Sequence, residues 1–593
     1  MKKHFLAALL FLGWIFPSAA YDWTYSVSVS NNSGGPRKHF FLWLPPQSMG
    51  IRGLVLTAAG RITQLSGDST IRKSCTTAEL GILGCPNLDG NFIQADTQYI
   101  QNALEALAAQ SGFPELEHVP FASYGTSVGG ILAWEMAYAY PNRFFGIIQD
   151  NAVYTKKPAW APAGANLSSV PLLLSRGYNE PVGDKPWLSR DSVLAQRALG
   201  GPANMILQAG IGHFSWTTWE AKYMGKWLEK AAAAIIPSGP YARTGPVALL
   251  PVSVETGWLS DTNFTSGTIA SGLWVAYPGE KAKAFWHFDE EMATLWMQMH
   301  QGQFSRTAQL GDFANNTFSA CTNPWQTCTT LNMGDYPNPI QPGALTNASL
   351  PVRYGVYNGA FSPGPGNTIS LDPTLVDETA TGWIVAIQEG NETHQGWEQG
   401  TRFTVAKKNS GTDQAISVQA IADQADTASP IPLTATASSG LPVVVRIKSG
   451  PAEVVGSQIV LRQFAGDSGA VAQVIVRYGQ GGNAVFKTAA LRTDTFLVRK
   501  TTRLTSLDRT ISGQEKGRLF PNPGQERVFW RGEQAPGKFL FFDLQGRLQK
   551  VVESKSANEG LDVSDLLPGM YSVQVFQNGK WQWHRFVCLK NIR

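Results

Sequence analysis

The 593-residue sequence holds only five cysteines. That is too few for disulfides to organise a chain of this length, so packed cores must hold it together. Charged residues make up just 16% of it, and the formal net charge is +4. It has no basic run or stripe to suit nucleic acid, and no acidic tail. The one long apolar run, within residues 5–16, is too short to cross a bilayer. No Cys/His grouping has zinc-like spacing, and H-E-x-x-H does not occur. His287, Asp289, Glu290 and Glu291 lie close in sequence. A single amphipathic helix over 280–303 with acids on its wet face accounts for them, so neither a metal nor another cofactor is expected.

What is abundant points outside the cell. Glycine (59), proline (35) and tryptophan (19) are spread along the chain, as in an extracellular protein rich in loops and β-structure. Lys2 and Lys3, the apolar run, and Ser18-Ala19-Ala20 read as a secretory signal over 1–20, cleaved before Tyr21. No transmembrane segment is expected once it is removed. Cys321 and Cys328 bracket a polar loop and are the expected bridge. Cys75 and Cys85 read equally as a second bridge or as two small buried hydrophobes, and Cys588 has no obvious partner.

The most informative stretch is 121–130. An apolar lead-in runs into Gly125-Thr126-Ser127-Val128-Gly129, a G-x-S-x-G, and a helical pattern over 131–138 follows until Pro141. Strand, sharp turn and helix is the context in which this motif presents a serine hydroxyl at the top of a sheet. Glycines flank the serine where a Cβ would collide with strand and helix. The Val128 N–H, at the helix start, is then aimed at whatever Ser127 attacks. Around this turn, strands are expected at 53–60, 81–83, 144–148, 170–175 and 204–209, with helices over 70–80, 97–109 and 219–234. Two antiparallel strands precede them, at 23–30 and 39–44. The alternation gives an α/β sheet with parallel crossovers.

Reactive groups in such sheets sit at the carboxyl ends of strands. Gly177-Tyr178-Asn179-Glu180 follows one strand, and Gly210-Ile211-Gly212-His213-Phe214 follows the next. The order is serine, acid, histidine. Over about 22–237 the chain resembles the α/β-hydrolases. The pentad resembles their nucleophile elbow, the turn at Glu180 their acid turn, and 210–214 their histidine loop. The resemblance implies Ser127 as nucleophile, His213 as base and Glu180 as the acid that orients it. Asp184 and Asp150 are the alternative acids. One oxyanion donor is the Val128 N–H; the second is Gly60 or Arg61, after the strand at 53–60. Thr126 stands where many members have histidine, and the HGGG-type motif of many lipases is absent. His118, before the elbow strand, reads as structural.

Only about twenty residues, 149–169, fill the gap where this fold usually carries a lid. An open cleft suits a polymer or a large ester. Trp160, Trp187, Trp216 and Trp219 fall in loops or near strand ends, where Trp187 and Trp216 are the candidates to stack on sugar rings or else to pack. The expected activity is carboxylic ester hydrolysis on polysaccharide-linked or other polymer-linked esters. The same triad also cleaves amides, and a surface adhesin or glycan-binding protein on a hydrolase scaffold is the non-enzymatic alternative.

Beyond residue 240 the pattern turns to β-structure. Residues 246–277 read as β-rich, and 241–408 as an accessory region packed on the hydrolase. Residues 409–498 carry short strands at regular spacing and resemble the Ig-like repeats of bacterial surface proteins, through T-A-T-A-S-S-G-L-P-V. A polar linker spans 499–516. Residues 517–593 resemble the C-terminal sorting domain of type IX secretion, through Phe520-Pro521-Asn522-Pro523, Asp543-Leu544-Gln545-Gly546-Arg547, Leu561-Asp562-Val563-Ser564 and Pro568-Gly569-Met570-Tyr571. That resemblance implies Sec export, then passage across the outer membrane of a Bacteroidetes-type bacterium with the type IX machinery as partner. The expected architecture is thus multidomain: a signal peptide (1–20), an α/β-hydrolase domain (21–240), and β-rich domains ending in a small β-sandwich.

Overall fold

The computed structural model describes residues 23–501 and, with more gaps, 518–588. Stretches of five or more residues left out are 86–95, 181–185, 265–269, 314–328, 462–468, 521–526, 532–537, 543–547 and 554–560, besides shorter ones that include 59–61. The expected signal peptide, Cys321 and Cys328 lie outside the described residues.

An eight-stranded sheet forms the N-terminal third, in the order β1-β2-β4-β3-β5-β6-β7-β8. Its strands are β1 (Tyr25–Val29), β2 (Lys38–Trp43), β3 (Gly53–Ala58), β4 (Leu80–Cys85), β5 (Phe121–Thr126), β6 (Phe144–Asp150), β7 (Leu172–Gly177) and β8 (Ala203–Gln208). β2 runs antiparallel to β1 and β4; every other neighbouring pair is parallel. That order, with a helix after most strands, is the α/β-hydrolase fold. β4 to β8 are buried along their whole length, which is why they read as continuous apolar runs rather than alternating ones.

The helices are α1 (Ile62–Gly67), α2 (Ser69–Thr77), α3 (Asp96–Ser111), α4 (Gly129–Ala139), α5 (Pro186–Ala198), α6 (Thr218–Ile235) and α7 (Glu290–His300). Asp68 caps α2 by accepting from the Thr70 and Ile71 N–H groups, and Thr217 caps α6 by accepting from Glu220 N–H. α2 and α6 pack together closely at Gly225, where a Cβ would lie 2.8 Å from Ser74 Oγ. Trp187 lies in the first turn of α5 rather than in a loop.

Two expectations beyond residue 240 are corrected. The helix foreseen over 280–303 is instead a short strand, β11 (Phe285–His287), followed by α7. Asp289, two residues past the strand, caps the helix, accepting from Met292 N–H. Among its described residues the stretch 246–277 has as β-structure only the short strands β9 (Trp258–Ser260) and β10 (Ser271–Leu273); with β11 they form a small antiparallel sheet. His287 is fully buried, its Nε2 2.8 Å from Ser260 Oγ and its Nδ1 near Tyr223 Oη and Asn204 Nδ2.

A four-stranded sheet follows, made of Thr329–Asn332, Trp397–Ala406, Thr381–Gln388 and Arg353–Asn358 in that order, over its own apolar cluster of Phe313, Leu331, Ile340, Ile384 and Phe403. Strands between 416 and 499 form three further small sheets. The chain divides into two compact units, Met1–Arg503 and Leu504–Arg593. In the second, strands from Arg518–Phe520 to Lys580–Cys588 form two sheets, with Phe539, Phe541, Val573 and Val575 buried. Among the described residues no helix is long and apolar enough to cross a membrane.

Candidate active site

Ser127 occupies the turn between β5 and α4 with φ +54°, a left-handed conformation that costs a residue with a Cβ about 1–3 kcal/mol. Its surroundings enforce it. A Cβ on Gly125 would meet the Gly129 carbonyl oxygen at 2.0 Å, and one on Gly130 would meet Ala152 Cβ at 2.3 Å. Ser127 N–H donates to the Asp150 carbonyl at 3.0 Å, and Gly130 N–H donates to the Ser127 carbonyl, which opens the helix. Val128 is the N-cap residue of α4, so its N–H, like those of the first turn, has no carbonyl one turn back.

His213 and Glu180 come together. Nδ1 of His213 lies 2.5 Å from Glu180 Oε2, and the two side chains are 7% and 1% exposed. A ring that carries its proton on Nδ1 toward a carboxylate leaves Nε2 as the basic nitrogen. Glu180 is placed by the turn after β7, where Asn179 N–H donates to Ile211 O and Glu180 N–H to Gly177 O. Asp150 is engaged elsewhere: its Oδ2 accepts from Tyr124 Oη at 2.8 Å and Thr126 Oγ1 at 3.1 Å. Thr126 therefore buttresses Asp150 from the position before the serine. Asp184, Gly60 and Arg61 lie outside the described residues.

Two residues that sequence reasoning missed join these parts. Asn151, at the end of β6 with φ +46°, donates from Nδ2 to the His213 carbonyl at 3.2 Å and accepts from Gly177 N–H at 2.9 Å. Ser127 and His213 are thus bonded to consecutive residues, 150 and 151. The second is Glu398, on the strand Trp397–Ala406. Its Oε2 accepts from Gly212 N–H at 3.0 Å and its Oε1 from Phe214 N–H at 2.7 Å, so it holds the histidine loop on both sides of His213. Asn after a strand at a positive-φ position was a weak signal in the sequence. Glu398 gave none.

The aromatic candidates separate. Trp216 is buried; its Nε1 donates to Asp68 Oδ2 at 2.8 Å and its ring stands edge-on to Tyr124, so it packs the core and offers no face to a sugar. Trp187 is half-buried, edge-on to Tyr178, with Arg190 over its ring. Tyr178, two residues before Glu180, is exposed and also packs on Phe304. Trp219 is exposed on α6 under Lys222, and Trp160 is half-buried. The connection over 151–171 holds no helix or strand among its described residues. It is pinned to the elbow through Gln149, which donates to Gly130 O and Tyr154 O and accepts from Tyr154 N–H.

Residues 518–589 match the secretion system C-terminal sorting domain. The C-terminal unit is a type IX sorting domain. Type IX secretion carries the protein to the cell surface or the extracellular space. The N-terminal third is similar in fold to solved esterases and hydrolases. The esterase domain of a Rhodothermus marinus protein is 18% identical over 34% of this chain and 95% of its own, with a TM-score of 0.26. An S-formylglutathione hydrolase from Agrobacterium tumefaciens is 15% identical over 35% and 94%, at 0.24. Est1E from Butyrivibrio proteoclasticus is 11% identical over 35% and 99%, at 0.26. No curated protein matches the chain. The fold assignment rests on the strand order and elbow described above.

Proposed function

We propose that this exported protein is a serine hydrolase, a carboxylic ester hydrolase acting on polymer-linked esters, with Ser127, His213 and Glu180 as its triad. The observation that carries the reading is the buried Glu180–His213 pair, tied through Asn151 to the strained turn that presents Ser127. Ser127 Oγ attacks the acyl carbonyl while His213 Nε2 takes its proton. The new C–O bond pushes the carbonyl electrons onto oxygen, where Val128 N–H and a donor from residues 60–61 receive the charge. Glu180 stabilises the imidazolium. The tetrahedral intermediate collapses, the alcohol leaves with the proton from His213, and water repeats the sequence to free the acid. The short connection over 151–171 supports a cleft open to a polymer, and export places the enzyme where such polymers occur.

The test is labelling of the full chain with a fluorophosphonate, wild type beside Ser127→Ala. Labelling that vanishes in the variant is expected, followed by turnover of acetyl or feruloyl esters above peptides. A folded wild type that takes no label ends this reading and favours a binding role.

A further inference from the structure

We infer that the β-domain packed behind the histidine loop completes the catalytic centre, with Glu398 as a positioning residue that sets His213; this rests on the triad reading above. Glu398 and Gly400 of the strand Trp397–Ala406, and Gly396 just before it, meet the loop in register. A Cβ on Gly210 (φ +75°) would meet the Gly396 carbonyl oxygen at 1.9 Å, and one on Gly396 would meet Ile211 Cδ1 at 2.7 Å. Glu398 takes the Gly212 and Phe214 N–H groups. A Cβ on Gly400 would press on Phe214 at 3.1 Å. Alternate residues of a strand share a face, so Glu398 and Gly400 lie on one side of it, and Gly396, one residue before the strand, extends that surface through its contacts with Gly210 and Ile211, with two positions kept bare for the loop and one carboxylate between them. The glycines at 210 and 396 answer each other across the contact.

Two further contacts from the same domain fix the loop's flanks. The Phe214 ring stacks on Trp383, centroids 4.4 Å apart at 27°, and lies near Tyr357. Arg353 donates to the Trp216 carbonyl and pairs with Glu389, which accepts from Thr218 N–H and Oγ1 at the start of α6. The histidine loop, from Gly210 to Thr218, is therefore held along its length by residues more than 130 positions downstream. A loop with two glycines has many conformations of its own. Two charge-assisted bonds astride His213 select the one in which Nδ1 meets Glu180. Glu398 touches neither substrate nor reacting atoms in this account; it acts through His213.

Full-chain Glu398→Ala and Glu398→Gln test this. Misplacing a catalytic base by about 1 Å costs on the order of 100-fold in rate. With a small soluble ester, kcat should fall roughly 10- to 100-fold in Glu398→Ala, and less in Glu398→Gln, which keeps one acceptor. KM and the melting temperature should stay near wild type. Added formate or acetate should restore part of the lost rate to Glu398→Ala. The His213 Nδ1–H proton resonance, sharp in wild type, should broaden or vanish in the variant. Unchanged kcat in Glu398→Ala overturns the inference. So does a rate loss that only tracks loss of folded protein while the resonance persists. If wild type takes no fluorophosphonate label, the hydrolase reading fails by itself, and the resonance alone decides: its loss in Glu398→Ala upholds the positioning role, and its persistence ends it.

Discussion

Asp150 ends β6 and Glu180 follows β7, both are acidic, and both were open to the histidine on sequence grounds. Their environments part them. Asp150 is fully buried and receives two hydroxyls, whereas Glu180 meets the imidazole. Glu180→Gln should therefore lower kcat by on the order of 10³- to 10⁴-fold, as loss of the orienting carboxylate does in a triad. Asp150→Asn should lower stability more than it lowers kcat. Steady-state kinetics beside urea melts separates the two, and the opposite pattern would reassign the acid. The tryptophans divide in the same way. Trp187→Ala should reduce activity on a polymeric substrate more than on a small chromogenic ester. Trp216→Ala should reduce both alike, and lower stability by roughly 3–5 kcal/mol, because it empties a core site. The thiols are another residue-scale outcome: Cys75 and Cys85 are buried and unbridged, and burial, with Glu229 adding, pushes the Cys75 thiol up to about 12.

Elements differ in how much of their placement is local. The elbow was legible because a strand, a G-x-S-x-G turn and a helix are contiguous, and their sterics need nothing from elsewhere. The turns bearing Glu180 and His213 were legible from the glycines and polar residues that follow their strands, although the conformation of the histidine loop is set by distant residues such as Glu398. The segment 280–303 was misread because Phe285 and Phe288 are three apart, as on a helix face, while Asp289 caps only the residues after it. Its histidines carry a consequence of their own. His287 and His300 are enclosed; His300 Nε2 accepts from Leu207 N–H and its Nδ1 donates to Trp296 O. Burial, with Coulombic repulsion added at His287, lowers both to about 3 from an ordinary 6.5. The unfolded chain then binds more protons than the folded one between those values. Their contribution to stability is whole above about pH 6.5 and is lost as pH falls toward 3. Melting temperature should decline through that window, and more gently in His300→Gln; equal slopes would show that other groups set the acid limb.

At the scale of the whole molecule, periodicity separated an α/β sheet from the β-rich stretches after it, and the strand order agrees with the α/β reading. What it missed is how far the parts depend on one another. One apolar cluster runs from the eight-stranded sheet into residues 416–498, and the division into compact units falls only at 503 and 504. Partners such as Gly212 and Glu398, 186 residues apart, leave no trace in composition or spacing. Removal of residues 504–593 should abolish export yet leave fluorophosphonate labelling at the wild-type rate. Truncation at 240 should abolish labelling by exposing apolar surface and releasing the histidine loop. Equal labelling of the 240-residue fragment and the longer chain would show that the hydrolase stands alone.

The Gly396–Glu398–Gly400 face also bears on time. A chain made from its N-terminus completes β8 and the loop after it nearly two hundred residues before the strand that holds that loop. Contacts so distant in sequence form late. Ser127 and Glu180 can be in place while His213 is still unset, so on the proposed reading the site is complete only once the strand from Trp397 has folded against the loop.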